Sequence, residues 1–588
     1  MVSERERRAK RGEGSLRLTI LRFGFLGFAV LICLRLFTLQ VVDASYYSAL
    51  AEGQYAFYEN LYPERGEILA QDLKDGQLYP VATNINLGFV YADPRNVKDV
   101  HATAEKLSTI LGFNDQEKLE LEDKLAKTDD QWEPVKKKVP EEELALIDEA
   151  KVAHELQGIS YYRQPFRTYP KTGFGGHVLG FVGSNDDGTT SGKYGIEGYF
   201  EEELAGTPGF LQSEQDAAGR LVPVGDQSYE PAVDGADIVL TIDRNIQYTA
   251  CTLLRQAVLR HGADGGSLVI LDPETGAVLA MCGAPDFDPN TYNQVSDIQT
   301  FNNPATFNAY EPGSIFKPIT MSAGIDAGAV TPSTTFEDTG EVTDVGCETP
   351  IKNSDDKVYG VQTMTQVLEE SINTGVIFVM KALGRQRFAD YVNQFNFGLY
   401  TGIELSKEVP GDVSSLKLNS DCYAATASFG QGITVTPLQM AAAYAALANG
   451  GHLMQPYVVE EKRYADGRVE KTTPIEVRQV ISEKTANLVS AMLISVVENG
   501  HGKKAKVSGY YIAGKTGTAQ VAGPGGSYSA DNTIGSFAGY GPVGAPKFAM
   551  ITRIDHPRDV QYAESTAAPL FGEIANFLLR YFEVPPQR

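Results

Sequence analysis

An α+β architecture follows from three observations. There is one long apolar run near the N-terminus, a set of β-like segments enclosing a charged helical block, and a later succession of strand, helix, hairpin and long helical stretches. The predicted order is a cytoplasmic tail over residues 1–22, a single transmembrane helix over 23–42, a β-rich pedestal carrying a small helical subdomain over 43–232, and an α+β enzyme domain over 233–588. A chain of 588 residues exceeds what one hydrophobic core usually supports, so more than one domain is expected.

Residues 23–42 reach the length of about 20 that a helical span requires. Arg5, Arg7, Arg8, Lys10, Arg11, Arg17 and Arg22 precede the run, which keeps the tail cytoplasmic and exports the chain beyond Val42. Arg35 interrupts it near the outer end, where its guanidinium snorkels to the interface or meets a membrane partner. A cleaved signal peptide shares the basic head and apolar run, but Val42-Asp43-Ala44 is a poor cleavage site.

Residues 46–62 are aromatic-rich and read as extended or helical. Residues 65–70 are β-like and end in a turn at Lys74, Asp75 and Gly76. Over 97–156, Leu119, Leu121, Leu125, Leu144, Leu146 and Ile147 recur among Glu and Lys, which predicts the helical subdomain. Gly206, Pro208, Gly209, Gly219 and Gly225 mark turns ahead of a boundary near Val233. Residues 237–242 read as a strand, 244–261 as a helix, and 267–271 with 277–281 as a hairpin around 273–276. A terminal helix stops shortly before Arg588, so no appended repeat domain is expected.

Composition removes several function classes. Hydrophobic residues make up 43% of the chain, as in folded proteins, and 75 acidic against 51 basic residues give a net charge of -24, which repels nucleic acid. Cys33, Cys251, Cys282, Cys347 and Cys422 show no metal-like or redox spacing, so no metal and no cofactor is expected. An exported location permits disulfides, whose pairing the spacing leaves open.

Three motifs carry the chemistry. After the Pro312-Gly313 turn, Ser314 and Lys317 stand three apart on a helix, one face presenting both, so the amine can reach the hydroxyl. A lysine acts as base for a serine only when burial or another cation lowers its pKa, and Lys515 is the candidate cation. Ser371 and Asn373 fall in a turn between helices, offering a proton-relaying hydroxyl and an amide for a substrate carbonyl, although both residue types also favour ordinary helix caps. Residues 510–513 read as a strand running into Gly514-Lys515-Thr516-Gly517-Thr518-Ala519, where Lys515 and Thr516 can grip a terminal carboxylate. None of the seven histidines sits in a nucleophile setting, which disfavours a Ser-His-Asp mechanism. Gly509, Gly514, Lys515 and Thr516 also satisfy the phosphate-loop pattern, but that motif needs a following helix and residues 521–526 read as loop.

Ser314-x-x-Lys317, Ser371-x-Asn373 and Lys515-Thr516-Gly517, in this order, are the triplet of penicillin-interacting serine enzymes. With Tyr310-Glu-Pro-Gly313, Phe429-Gly-Gln-Gly432 and Thr436-Pro-Leu-Gln-Met440, the chain resembles the class B, monofunctional penicillin-binding proteins over nearly its whole length. Asn373 and Glu311 lean toward the division type, with elongation and sporulation types as alternatives.

The resemblance implies a serine β-lactamase/transpeptidase-like domain on a dimerisation-like pedestal. It also implies a peptidoglycan D,D-transpeptidase that cross-links stem peptides during septal wall synthesis and is acylated by β-lactams. By the same resemblance Ser314 is the nucleophile, Lys317 its base, Ser371 the proton relay and Asn373 the acyl-amide ligand. Lys515 and Thr516 bind the carboxylate, with Gly517 and Thr518 in the substrate-binding strand and the N–H groups of Ser314 and Thr518 in the oxyanion hole. A membrane glycan polymerase and other division proteins are the implied partners. Gln71-Asp-Leu-Lys-Asp-Gly76 departs from the family's usual turn, and Ile315 stands where a small hydroxyl residue is common. A β-lactamase or β-lactam sensor shares the outer motifs, but no deacylating glutamate is assignable and residues 44–231 are surplus to a hydrolase. A non-catalytic division scaffold is disfavoured by the intact triplet.

Overall fold

A computed structural model describes residues 21, 23–42, 56–170, 173–186, 189–214, 228–522 and 528–588. Residues 43–55, part of the aromatic-rich exit segment, lie outside the described residues. Over the expected span, residues 23–37 are α-helical with exposed apolar side chains, and Thr38–Val42 continue as π-helix. Among the described residues no helix is long and apolar enough to cross a membrane.

The chain forms two compact units, residues 1–63 with 207–233 and residues 64–206 with 234–588. In the first, Ala56–Leu61, Gly209–Glu214 and Ser228–Glu230 make a three-stranded antiparallel sheet.

The second unit opens with β1 (Ile68–Gln71) and the long β2 (Leu78–Ala92), joined by the predicted turn. The helical subdomain contains α1 (Val100–Leu111), α2 (Asp115–Leu125) and α3 (Glu141–Val152), and also β3 (Glu133–Val139), a strand that its lysine run hides within a charged segment. Asp99 caps α1, and Asn114 with Glu117 forms a capping box at α2. β2 pairs with β3 and with β4 (Ile159–Thr168), and one face of these strands packs on the helices through Val90, Ala92, Val139 and Ile159. β5 (Asp237–Asp243) pairs in parallel with β1 and antiparallel with Val459–Arg463, so segments from before 206 and after 234 share one sheet.

A buried ion cluster fixes the base of this region. Glu197, fully buried, receives Arg167 Nε at 2.6 Å, Arg65 Nη2 at 2.6 Å and Tyr169 Oη at 3.1 Å. Burial pushes its carboxyl up, but the Arg167 and Arg65 guanidiniums outweigh that and hold it below the usual range. Glu197→Gln leaves the Arg167 guanidinium without a carboxylate partner, while Arg65 keeps Glu201, and is expected to destabilise the fold by about 3–5 kcal/mol in chemical denaturation. A change under about 1 kcal/mol would contradict that account.

The C-terminal part of the chain is built on a five-stranded antiparallel sheet of β6 (Gly265–Leu271), β7 (Val278–Ala284), β8 (Ala513–Ala522), β9 (Tyr528–Gly541) and β10 (Phe548–Asp555), in spatial order β7-β6-β10-β9-β8. Alternation along β6 sends Leu268 and Ile270 to one face, with Phe571 and Leu578, and Val269 and Leu271 to the other, with Ala441 and Tyr444. Disulfides Cys251–Cys282 and Cys347–Cys422 supply the pairing that spacing left open, and Cys33 is free.

Candidate active site

Three elements bring the motifs together. Ser314 lies in the 3-10 turn Gly313–Phe316, which passes directly into helix α4 (Lys317–Asp326) with Pro318 in its first turn. Gly313 N donates to Gly430 O at 3.0 Å, and buried Tyr444 Oη donates to Ile315 O at 2.8 Å, so the turn is pinned from both sides. Gly430 has φ +83°, and a Cβ there would lie 2.2 Å from Gly313 O, which accounts for the glycine.

Ser371 comes after helix α5 (Met364–Glu369) and precedes helix α6 (Asn373–Leu383). Its φ of +58° is a left-handed conformation that side chains rarely adopt, held here by its neighbours. Asn373 Nδ2 donates to Lys352 O at 3.0 Å. Beneath it, Thr374 Oγ1 donates to Asp338 Oδ1 at 2.6 Å and Asn353 Nδ2 to Asp338 Oδ2 at 2.9 Å. Sequence reasoning misses this support, because Asp338, Asn353 and Thr374 are brought together only by the fold.

Lys515, Thr516, Gly517 and Thr518 lie within β8, which is the edge strand of the sheet. The strand starts at Ala513, not at Tyr510 as expected, because Tyr510 belongs to a buried cluster and donates its hydroxyl to Val584 O at 2.7 Å. It continues to Ala522 as strand, so no helix succeeds Thr516 as a phosphate loop requires. A Cβ on Gly517 would meet Pro312 O and Ile315 Cγ2 at 2.9 Å, and its absence lets the strand press against the Ser314 turn.

The convergence point is Ser371 Oγ. Lys515 Nζ donates to it at 3.0 Å and Lys317 Nζ at 3.2 Å. Lys317 also donates to Asn373 Oδ1 at 2.7 Å and to Ser371 O. No hydrogen bond joins Lys317 to Ser314 among the described residues: the Ser371 carbonyl and the Asn373 carboxamide accept from the amine instead. Lys515 further donates to Thr516 O at 3.1 Å and lies 3.4 Å from Thr516 Oγ1. Both lysines are fully buried. Burial first, and the Lys515 charge second, drive the Lys317 amine well below the usual lysine value, with Asp355 opposing. Burial pushes Lys515 down to about 7. Ser314 is half-buried. The site therefore offers an alcohol, a second hydroxyl and two amines that part readily with a proton.

Residues 266–576 match the penicillin binding protein transpeptidase domain and residues 60–240 the penicillin-binding protein dimerisation domain. Stage V sporulation protein D of Bacillus subtilis is 33% identical over 97% of this chain and 86% of its own length. Peptidoglycan D,D-transpeptidase FtsI of Escherichia coli is 30% identical over 74% of this chain and 70% of its own. The crystal structure of penicillin binding protein 3 from Mycobacterium tuberculosis, complexed with aztreonam, superposes with a TM-score of 0.68 at 26% identity, covering 90% of this chain and 98% of that one. With motif geometry, fold and sequence agreeing, the chain belongs to the penicillin-binding protein transpeptidase family.

Proposed function

We propose that the protein is a peptidoglycan D,D-transpeptidase acting through an acyl-enzyme on Ser314. The observation that carries this is the meeting of Lys317 and Lys515 on one hydroxyl, Ser371 Oγ, with Lys317 buried and its pKa lowered. Ser314 Oγ attacks the carbonyl between the two D-Ala residues of a stem peptide while Lys317 takes the hydroxyl proton. Ser371 Oγ relays a proton to the departing D-Ala nitrogen, leaving an ester on Ser314. An amine of a second stem peptide then attacks the ester, restoring the alcohol and forming the cross-link. Asn373 holds the acyl amide, Lys515 and Thr516 the terminal carboxylate, and the N–H groups of Ser314 and Thr518 the oxyanion, worth about 3–4 kcal/mol per donor. Gly517 and Thr518 present the β8 edge to the extended peptide, a role the edge position supports.

The division role is proposed on Asn373 and Glu311 together with the likeness to FtsI. A sporulation role is the second reading, favoured by the 97% coverage of this chain by Stage V sporulation protein D. The chain is further proposed to divide as 1–22, 23–42, 43–232 and 233–588, supported by the basic tail, the apolar run and the two matched domains. Residues 23–42 anchor it in the membrane with the catalytic domain outside, next to a glycan polymerase and other division proteins. The test is incubation with a donor peptide ending in D-Ala-D-Ala and an amine acceptor. Release of D-Ala with cross-linked product is expected, whereas rapid β-lactam turnover without cross-linking would overturn the assignment.

A further inference from the structure

The face of β2, β3 and β4 turned away from α1–α3 carries an aromatic stack. Phe89 lies 5.2 Å from Tyr162 and 5.8 Å from Trp132, ring centroid to centroid, with interplanar angles of 8° and 21°, and Tyr91 lies 6.2 Å from Trp132. Trp132 is 46% exposed and Tyr162 44%. The pairing of β2 with β3 breaks register between Gly88 and Val90, and Lys138 takes the left-handed conformation at φ +59°. That irregularity re-aims consecutive side chains, so Lys137 Nζ stands 5.5 Å over the Phe89 ring and Lys138 Nζ 5.9 Å over the Phe166 ring. Neither lysine is paired with a carboxylate among the described residues. In a chain of net charge -24, a backbone irregularity that turns two cations onto a ring-lined surface marks a recognition face.

We propose that this face binds a glycan strand of the cell-wall polymer. The rings stack on the apolar C–H faces of sugar residues, and Lys137 and Lys138 pair with carboxylates of the peptides that the strand carries. The proposal rests on the transpeptidase reading for the identity of the polymer. It places a second hold on the substrate, outside the Ser314 cleft.

Trp132 is the single tryptophan of the chain, so indole emission from the full-length protein in detergent reports on this face alone. Titration with purified, uncross-linked glycan strands bearing intact stem peptides is expected to give a saturable change in that emission. The Lys137→Glu/Lys138→Glu variant is expected to weaken the apparent affinity by about tenfold or more. Strands stripped of their peptides are expected to bind the wild type as weakly as intact strands bind that variant. Ser314→Ala is expected to titrate like wild type, because the cleft is not the site being read, and covalent penicillin labelling is expected to be unchanged in the lysine variant. An unchanged emission, equal binding by the lysine variant, a response to anionic phospholipid vesicles but not to glycan, or loss of the response on acylation of Ser314 would each overturn the proposal. Failure of penicillin labelling in the wild type would instead overturn the transpeptidase reading, so the two failures are distinguishable.

Discussion

Ser314→Ala is expected to abolish covalent attachment of a labelled penicillin and to lower D-Ala release by a factor on the order of 10⁴–10⁶. The size reflects the absence of a substitute: Ser371 Oγ, the other hydroxyl in the cleft, is held by two amines at 3.0 and 3.2 Å and sits on a backbone at φ +58°. The fold is expected to survive, since the Ser314 hydroxyl has no hydrogen-bond partner among the described residues. Electrophoresis after labelling reads the result, with thermal unfolding as control. A labelled band of wild-type intensity would remove Ser314 as nucleophile.

Lys317→Met is expected to slow acylation by about 10²–10⁴, the usual contribution of a positioned base. Methionine has similar length and is apolar, so the buried volume stays filled. In wild type the acylation rate is expected to fall as pH drops, because only an unprotonated amine accepts the serine proton. In Lys317→Met that dependence is expected to be lost, because the amine that accepts the serine proton is gone. Stopped-flow acylation across pH checks both points. A variant with the wild-type pH profile would assign the base elsewhere.

The three motifs that the fold brings together were legible in the sequence because each is local: a helical spacing of three for Ser314 and Lys317, a turn between helices for Ser371 and Asn373, a glycine-flanked strand for Lys515 and Thr516. The hairpin of β6 and β7 was legible for the same reason, through its turn residues between apolar runs. What escaped depends on partners distant in the chain. Tyr510 looks like strand by propensity but is recruited to a buried cluster with the C-terminal segment. The lysine-rich β3 has its pairing partner in β2, far upstream, so its own residues do not announce a strand. The Lys317 amine donates to a carbonyl and a carboxamide of another segment, those of Ser371 and Asn373. The asparagine-aspartate-threonine support under Asn373 spans residues 338–374 and has no local signature.

The two interior lysines also tie the protein's robustness to alkalinity. The unfolded chain holds a proton on each up to the ordinary lysine value of 10.5, whereas folded Lys515 gives its proton up at about 7. Between those values the unfolded ensemble binds more protons, so this residue's linkage favours the native state increasingly as the medium becomes more basic and withdraws that support as pH falls toward 7. Acidification toward neutrality therefore loosens the molecule at the edge strand that carries Lys515.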